Sequence, residues 1–446
     1  MERISRGAAP KRKRAEWPLV RVLVTGASGL IGGALVRALH AAGHFVIGAA
    51  RRAAAPPQIP ADAWLRIDYT HAQSVADWLP RLRDVDAVIN AVGIIRERGA
   101  QTFAALHERT PQALFAACAQ AGVKRVLQIS ALGADAHAQS RYHLSKKAAD
   151  DFLLTLPLTA TVVQPSLIFA PQGASAQLFL SLASLPLIPL VGTGEQRVQP
   201  IHIDDCVEAL LKLLTAPNPP PRLALVGPQP LSLRDFLASL RQGLGPGELG
   251  PARFLPVPVL LLHAFAYVAQ IFPRALLTPE TLSMLLRGNV ADPAPTQAQL
   301  GRAPRPVAAF AEKLDARTLH LPSLFMLMRV SIAFVWIYSG VVSLWLFPLS
   351  DSYALLARVG LHGTAAAAAL YAAALADLAF GAATLWVRAT WIWPLQLLLI
   401  GAYSVIIAFA LPEFWIHPFA PLAKNIPMMA GILMLWIMEQ DGLRRR

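Results

Sequence analysis

Only two cysteines, Cys118 and Cys206, occur in 446 residues, and they form neither a CxxC pair nor a metal-ligand spacing. That excludes a disulfide scaffold and a thiolate zinc module; buried, reduced thiols are the expectation. The histidines are scattered, so no metal site is expected. Charge is also scarce. Asp, Glu, Lys and Arg together make up 15% of the chain, against 55% hydrophobic residues. This balance is too apolar for a purely soluble protein, and the apolar excess lies after about residue 322. Acidic residues are the scarcer sign, leaving a net charge of +13. Part of the excess sits in the tail, with Arg3, Arg6, Lys11, Arg12, Lys13 and Arg14. Such a run suits a solvated tail, nucleic acid or acidic lipid. With apolar runs downstream, attraction to inner-leaflet lipid is preferred and no nucleic-acid partner is expected. The tail lacks the apolar core of a signal peptide, so the N-terminal half is expected in the cytoplasm.

What is present begins at Thr25–Gly32, TGASGLIG. RVLV before it has a buried-strand pattern, and IGGALVRALHAAG after it has helical spacing. Strand, glycine turn and helix are the context that a dinucleotide-binding loop needs. Gly26 permits the tight turn, Gly29 lets backbone approach a pyrophosphate, and Gly32 lets the helix pack close to the strand. Ser28, Leu30 and Ile31 complete the loop, whose helix N-terminus offers free N–H groups to phosphate.

Strand and helix patterns alternate to about residue 165. RVLVTG, HFVIGAAR, WLRIDY, DAVINAVG, RVLQIS and ATVVQPSLIF are the expected strands, in a doubly wound parallel α/β sheet of the Rossmann type. Residues 166 to about 320 are proline-rich and read as a smaller lobe over the cofactor. Within it, 254–272 is long and apolar; it reads as a lobe helix lying on a membrane surface rather than as a further span.

Four apolar runs follow, at about 324–347, 365–387, 391–411 and 424–438. A span needs about 20 apolar residues, so a four-helix transmembrane bundle is expected, with the fourth run short. The domain boundaries expected are a basic tail over 1–18, a nucleotide-binding domain over 19–320 and a membrane domain over 321–446. An even number of spans would put Lys313, Arg317, Arg388 and Arg444–Arg446 together on the cytoplasmic side of an inner membrane, as the positive-inside rule requires. Asp377 and Arg329 fall inside the spans. Asp377 could serve a quinone or proton site; pairing with Arg329 or a hydroxyl as a folding device is preferred.

Tyr142 and Lys146 are four apart in RYHLSKKAAD, on one helical face. Ser130 ends the fifth strand, at the sheet edge where ligands bind. A lysine ammonium near a tyrosine lowers its pKa, so Tyr142 could exchange a proton with a substrate hydroxyl while hydride moves to or from nicotinamide. Ser130 could hold the substrate oxygen. After the second strand stand Arg51 and Arg52 where an NAD-preferring fold carries an acid. They suit a 2′-phosphate, so NADP(H) is favoured over NAD(H).

With these motifs in this order, the chain resembles the short-chain dehydrogenase/reductase superfamily in its extended or atypical branch. QISALGADAHAQSRYHLSKKAAD is most similar to the branch containing the NADPH-binding accessory subunit of respiratory complex I, with relatives in ubiquinone biosynthesis. VQPIHIDDCVEALLKLL and GPQPLSLRDFLASL fit the same branch. LMRVSIAFVWIYSGVVSLW, ADLAFGAATLW and LPEFWIHPFAPLAKNIP resemble a DoxX-like membrane domain. Together the resemblances cover about residues 20–440. They imply that Gly26, Gly29 and Gly32 hold the pyrophosphate, that Asp68 contacts adenine, that Asn90 and Gly93 line the nicotinamide side, and that Pro165 and Ser166 lie near its carboxamide. They also imply Ser130, Tyr142 and Lys146 as the catalytic group.

The expected function is a membrane-anchored NADP(H)-dependent oxidoreductase, acting at a carbonyl or alcohol of a lipid or quinone-pathway substrate. Two alternatives stay open. One is a non-catalytic NADPH-binding protein of a membrane complex. The other is a nucleotide-sugar epimerase, for which Arg197 and Arg222 could bind the diphosphate.

Overall fold

The computed structural model describes residues 19–51, 58–244, 250–270, 276–312, 314, 321–387, 389–418 and 420–444. The basic tail, Arg52, Lys313, Arg317, Arg388, Arg445 and Arg446 lie outside the described residues. The chain divides into two compact units, one ending at Ala316 and one beginning at Arg317.

The first unit is built in chain order from β1 (Arg21–Thr25), α1 (Leu30–Ala41), β2 (Phe45–Ala50), β3 (Ala63–Arg66), β4 (Ala87–Asn90), α2 (Thr110–Ala121), β5 (Arg125–Ile129), α3 (Arg141–Thr155), β6 (Ala160–Pro165), α4 (Ile203–Thr215) and β7 (Arg222–Leu225). The seven strands form one parallel sheet in the order β7-β6-β5-β4-β1-β2-β3. In register, Val22 of β1 faces Val46 of β2 on one side and Ala87 of β4 on the other. The strand order therefore reverses at β1, and the crevice beyond the carboxyl ends of β1 and β4 is where ligands of such sheets bind. β1 is apolar throughout because both its faces are covered. Val22 and Val24 pack with Leu35, Val36 and Leu39 of α1. Leu23, on the other face, packs with Phe115 of α2 and Leu153 of α3.

Six strands are where the periodicity puts them. The seventh, β7, was not expected. Its four residues follow a proline run, and they become a strand by pairing with β6, Arg222 opposite Val162. Conversely, ATVVQPSLIF does not stay one strand. β6 stops at Pro165, and Ile168–Phe169 pairs with Ile201–His202 in the smaller lobe. The segment leading into α2 begins with a wide turn, Ala104–Arg109, whose closing bond runs from the Thr110 N–H to the Ala105 carbonyl. Pro111 has no N–H to continue the regular ladder, and the wide turn accommodates this.

The smaller lobe carries α5 (Val259–Ala269) and α6 (Pro279–Arg287). The Glu280 carboxylate at the start of α6 accepts the Tyr142 N–H at 3.1 Å, and Arg287 at its end pairs with Asp135 at 3.2 Å. The lobe thus closes on the N-terminal turn of α3.

The second unit contains α7 (Leu321–Val341), α8 (Gly363–Trp386), α9 (Ile392–Ala410) and α10 (Asn425–Arg444). Among the described residues, three helices are long and apolar enough to cross a membrane: Leu324–Leu346, Gly363–Trp386 and Ile392–Ala410. The fourth expected span forms as α10, which at 20 residues is as long as the third, but Glu439 and Gln440 polarise its last turns and it is not among the three apolar enough to cross. The even count that would place both termini on one side rests on this helix. α7 and α8 meet through small residues: a Cβ on Gly340 would lie 2.8 Å from the Ala374 carbonyl oxygen, and one on Gly381 would lie 3.1 Å from that of Ala333. Such close approach is how apolar helices pack without a hydrophobic driving force between them. Asp377 is buried and accepts the Ser339 hydroxyl at 2.7 Å, so a hydroxyl and not Arg329 is its partner. Arg329 pairs instead with Glu439, lies 5.3 Å from the Trp393 ring, and donates to the Val387 carbonyl at 2.8 Å.

Candidate cofactor and active site

The loop after β1 has the shape its glycines allow. Gly26 adopts φ +68°, and a Cβ there would lie 2.8 Å from the Ala91 carbonyl oxygen just past β4. At Gly32 a Cβ would lie 2.2 Å from the Gly26 oxygen. α1 therefore sits against the turn as only glycine permits. Gly29 precedes α1 in extended conformation, and Ser28, Gly29 and Leu30 are exposed, with Ile31 partly so. The first N–H groups of α1 have no acceptor within the helix, which leaves them directed at the crevice as a site for phosphate.

Arg51 follows β2 directly and is exposed. It lies near Asp68. Burial raises the Asp68 carboxyl, but hydrogen bonds from the Thr70 backbone and hydroxyl, with the charges of His71 and Arg51, hold it below its ordinary value overall. Asp68 is thus an anion engaged with its own turn by one oxygen, at 2.9 Å to the Thr70 N–H and 2.8 Å to its hydroxyl.

Asn90 departs from its expected role. Its side chain is fully buried. Its oxygen accepts the hydroxyls of Thr25 at 2.6 Å and Tyr69 at 2.9 Å, and its amide donates to Gln128 at 2.7 Å. It ties together the carboxyl ends of β1, β4 and β5 and does not line the crevice. Gly93 does face the reacting groups: a Cβ there would lie 3.2 Å from Lys146 Nζ. Pro165 accepts the Leu132 N–H at 2.9 Å. Ser166 is buried, with its hydroxyl donating to the Gln199 carbonyl.

α3 presents Tyr142, Lys146 and Asp150 at four-residue intervals on one face. The Lys146 ammonium donates to the carbonyls of Ile129 at 3.0 Å and Val92 at 3.3 Å, spanning the ends of β5 and β4. An ammonium has three donors, so one is left for a ligand hydroxyl. Burial lowers the Lys146 pKa to about 8, against the opposing pull of Asp150. Burial also raises Tyr142, to about 12, with Asp150 adding to the rise. The expected lowering of Tyr142 by Lys146 is not found, since burial and Asp150 are what shift it: at neutral pH Tyr142 is a phenol, suited to donating a proton to a carbonyl oxygen.

Three side chains complete the site that the motifs alone did not single out. Asp150 is fully buried and accepts the Ser130 hydroxyl. Ser130 has a single proton, so in this arrangement it can accept from a substrate alcohol while its own proton is engaged by Asp150. The sequence signal for Asp150 is its spacing, four beyond Lys146. His107, in the wide turn, accepts the Ile94 N–H at 3.0 Å through Nε2. Its Nδ1 is 2.9 Å from the Ser145 hydroxyl, which in turn donates to the Tyr142 carbonyl at 2.8 Å. Burial, with Lys146 nearby, lowers the His107 pKa to about 2, so it is neutral and its proton sits on Nδ1. The His107 ring centroid lies 5.5 Å from that of Tyr142. His107 thus fixes the position of Tyr142; Pro111, just after the wide turn, is the available sequence signal.

Burial pushes the Asp150 carboxyl up to about 6, with Ser130 and Lys146 offsetting part of the rise. An acid whose folded pKa exceeds its unfolded value near 3.8 favours folding most when protonated. Relative to Asp150→Asn, the wild type is expected to lose stability as pH rises from about 4 to 6, by on the order of 3 kcal/mol, and to run parallel above that. Thermal midpoints of both proteins across this range check the sign.

Arg222 does not face the crevice. It stands at the amino end of β7 and pairs with Asp151. Arg197 is exposed in the smaller lobe. Among the described residues, no cluster of His, Cys, Asp or Glu could hold a metal ion.

Residues 22–227 match the NAD dependent epimerase/dehydratase family, and residues 333–433 match the DoxX-like family. An epimerase family protein of Mycobacterium bovis is 30% identical over 262 residues, covering 54% of this chain and 81% of that protein. A ceramide reductase of Caulobacter vibrioides is 29% identical over 199 residues, 44% of this chain and 61% of that protein. Subunit 9 of the NADH dehydrogenase [ubiquinone] 1 alpha subcomplex of Arabidopsis thaliana is 26% identical over 133 residues, 29% of this chain and 33% of that protein. Among solved structures, a nucleoside-diphosphate-sugar epimerase of Staphylococcus aureus shares the fold, with a TM-score of 0.52 at 17% identity over 66% of this chain and 100% of that one.

Proposed function

Since this chain belongs to the NAD dependent epimerase/dehydratase family and joins that domain to a DoxX-like membrane domain, we propose that it is an NADP(H)-dependent reductase acting on the carbonyl of a membrane-soluble lipid or quinone-pathway compound. On this reading its nucleotide-binding domain lies on the cytoplasmic side of the inner membrane. The observation that carries the reading is the α3 face, which bears Tyr142 and Lys146 one helical turn apart, with the Lys146 ammonium anchored to the ends of β4 and β5. The glycine loop, the exposed start of α1 and the open third donor of Lys146 fit a dinucleotide. Reduced nicotinamide supplies a hydride when bound. Tyr142 donates the proton to the substrate oxygen, and Lys146 holds a ribose hydroxyl and the charge that develops on the tyrosine. The likeness to a ceramide reductase supports a lipid substrate. A lipid and quinone profile of a deletion strain tests this. An accumulated carbonyl precursor, cleared on re-expression of the wild type, is the expected result; an unchanged profile contradicts it.

NADP(H) is the preferred cofactor because Arg51 and Arg52 occupy the position after β2. A charge-assisted bond to the 2′-phosphate is worth about 1.5–3 kcal/mol. Arg51→Ala is accordingly expected to weaken NADPH binding about 10- to 100-fold and leave NADH binding unchanged. Titration of both cofactors decides it; equal affinity in the wild type would sink the assignment.

The engagement of Ser130 with Asp150 favours a second reading, in which the cofactor is held without turnover. The epimerase reading loses Arg222 as a diphosphate ligand, since that side chain pairs with Asp151 away from the crevice.

A further inference from the structure

α5 is built the wrong way round for a helix facing water. Its buried residues are the small Ala266 and Ala269. Its large apolar side chains point outward: Leu260 is 80% exposed, Leu261 59%, Phe265 62%, Tyr267 70% and Val268 57%. A soluble helix does the opposite, turning its bulk into the core and its polar residues out. The strand leading into α5 continues the surface with Leu255, 47% exposed. Contiguous exposed patches of this kind mark contact with another apolar phase.

We propose that α5 lies in the interfacial plane of the lipid bilayer, with its outer face among the acyl chains. Three observations name the bilayer as occupant. The same chain carries three helices long and apolar enough to cross a membrane, so the chain that bears this lobe is itself suited to a bilayer. From 250 to 270 there is no acidic residue, while Arg253 is exposed at the edge of the patch and Arg234 stacks on Phe254 at 5.0 Å. That charge complements anionic lipid headgroups. The composition also fits: Leu and Phe lie outward, and Tyr267, an amphipathic ring, stands among them as at membrane interfaces.

The placement bears on the crevice. Arg96 donates to the Gln270 carbonyl at the end of α5, and Arg96 belongs to the segment that follows Gly93 beside Lys146. On the reductase reading above, a docked α5 brings the rim of that crevice to the lipid, so that a lipid-borne carbonyl enters from the bilayer. The docking itself stands or falls without that reading.

The test uses the full chain in nanodiscs of phosphatidylethanolamine and phosphatidylglycerol. Single variants Leu261→Cys, Phe265→Cys and, as the control at an exposed turn, Lys124→Cys are labelled with an environment-sensitive fluorophore. Cys118 and Cys206 are buried and escape labelling in the folded protein. Positions 261 and 265 are expected to be quenched by doxyl-labelled phosphatidylcholine and shielded from iodide, with position 124 showing the reverse. Iodide access at all three positions overturns the proposal. Shielding from iodide without quenching by lipid also overturns it, because protein and not lipid then covers α5. The thermal midpoint of each labelled protein verifies folding, and two sites on α5 guard against one substitution that fails. No turnover is measured, so loss of the reductase reading leaves the result intact.

Discussion

Tyr142→Phe is expected to lower the rate of carbonyl reduction by about 10²–10⁴-fold, the usual contribution of a positioned proton donor, while NADPH still binds. The variant removes one oxygen and keeps the ring. The ring is held by edge contacts to Phe103 at 6.0 Å, His107 at 5.5 Å and His143 at 5.2 Å between centroids, so the fold and the Lys146 anchor have no reason to move. With the tyrosine pKa raised to about 12, the phenol is protonated from pH 6 to 9. Its protonation therefore sets no limit on reduction there, whereas oxidation of an alcohol, which needs the tyrosinate, is disfavoured. Single-turnover NADPH consumption and complementation of a deletion strain measure the two sides. If Tyr142→Phe restores function in cells and still binds NADPH, the protein holds its cofactor and does not use it as a reductase.

Gly32→Ala is expected to damage the fold itself, and Gly29→Ala mainly the cofactor site. A Cβ on Gly32 would stand 2.2 Å from the Gly26 oxygen and 2.7 Å from its carbonyl carbon, both backbone atoms. To relieve this α1 must lift from the turn, but Leu35, Val36 and Leu39 are wholly buried against the sheet and resist. Overpacking of this kind costs about 1–3 kcal/mol, occasionally more, and it moves the N–H groups that face the phosphates. At Gly29 the nearest atom to a Cβ is the Gly26 oxygen at 3.1 Å, and the position is exposed. The methyl there fits the chain with a small shift and meets the incoming pyrophosphate instead. A clear fall in thermal midpoint for Gly32→Ala, against a nearly unchanged midpoint with at least tenfold weaker NADPH binding for Gly29→Ala, is the expected pair. Equal falls in midpoint would refute the distinction.

The contrast between these two glycines shows where local sequence is sufficient. Strand, loop and helix around TGASGLIG follow from neighbouring residues: apolar periodicity, a glycine at positive φ, and a helix whose first donors lack partners. The same holds for the one-sided spacing of Tyr142 and Lys146 and for the long apolar runs after residue 320. Each is an effect of residues within one or two turns of each other.

The tertiary structure decided what depends on distant partners. β7 is a strand because β6 offers it an edge. Asn90 stands in a motif at the crevice, yet hydroxyls from Thr25 and Tyr69 and the Gln128 side chain enclose it. Ser130 ends the expected strand, but Asp150, twenty residues on, accepts its hydroxyl hydrogen bond. Lys146 is expected to lower Tyr142, but burial and Asp150 raise it instead, because desolvation of a phenolate is set by everything packed around it and not by one neighbour. Arg329 finds Glu439 at the far end of the membrane unit, leaving Ser339 to Asp377. The cofactor loop, the paired tyrosine and lysine and the membrane character were therefore fixed by short-range pattern; the protonation of Tyr142, the partner of Ser130 and the outward face of α5 were set by packing, because hydrogen-bond partners and solvent exposure are properties of the assembled chain.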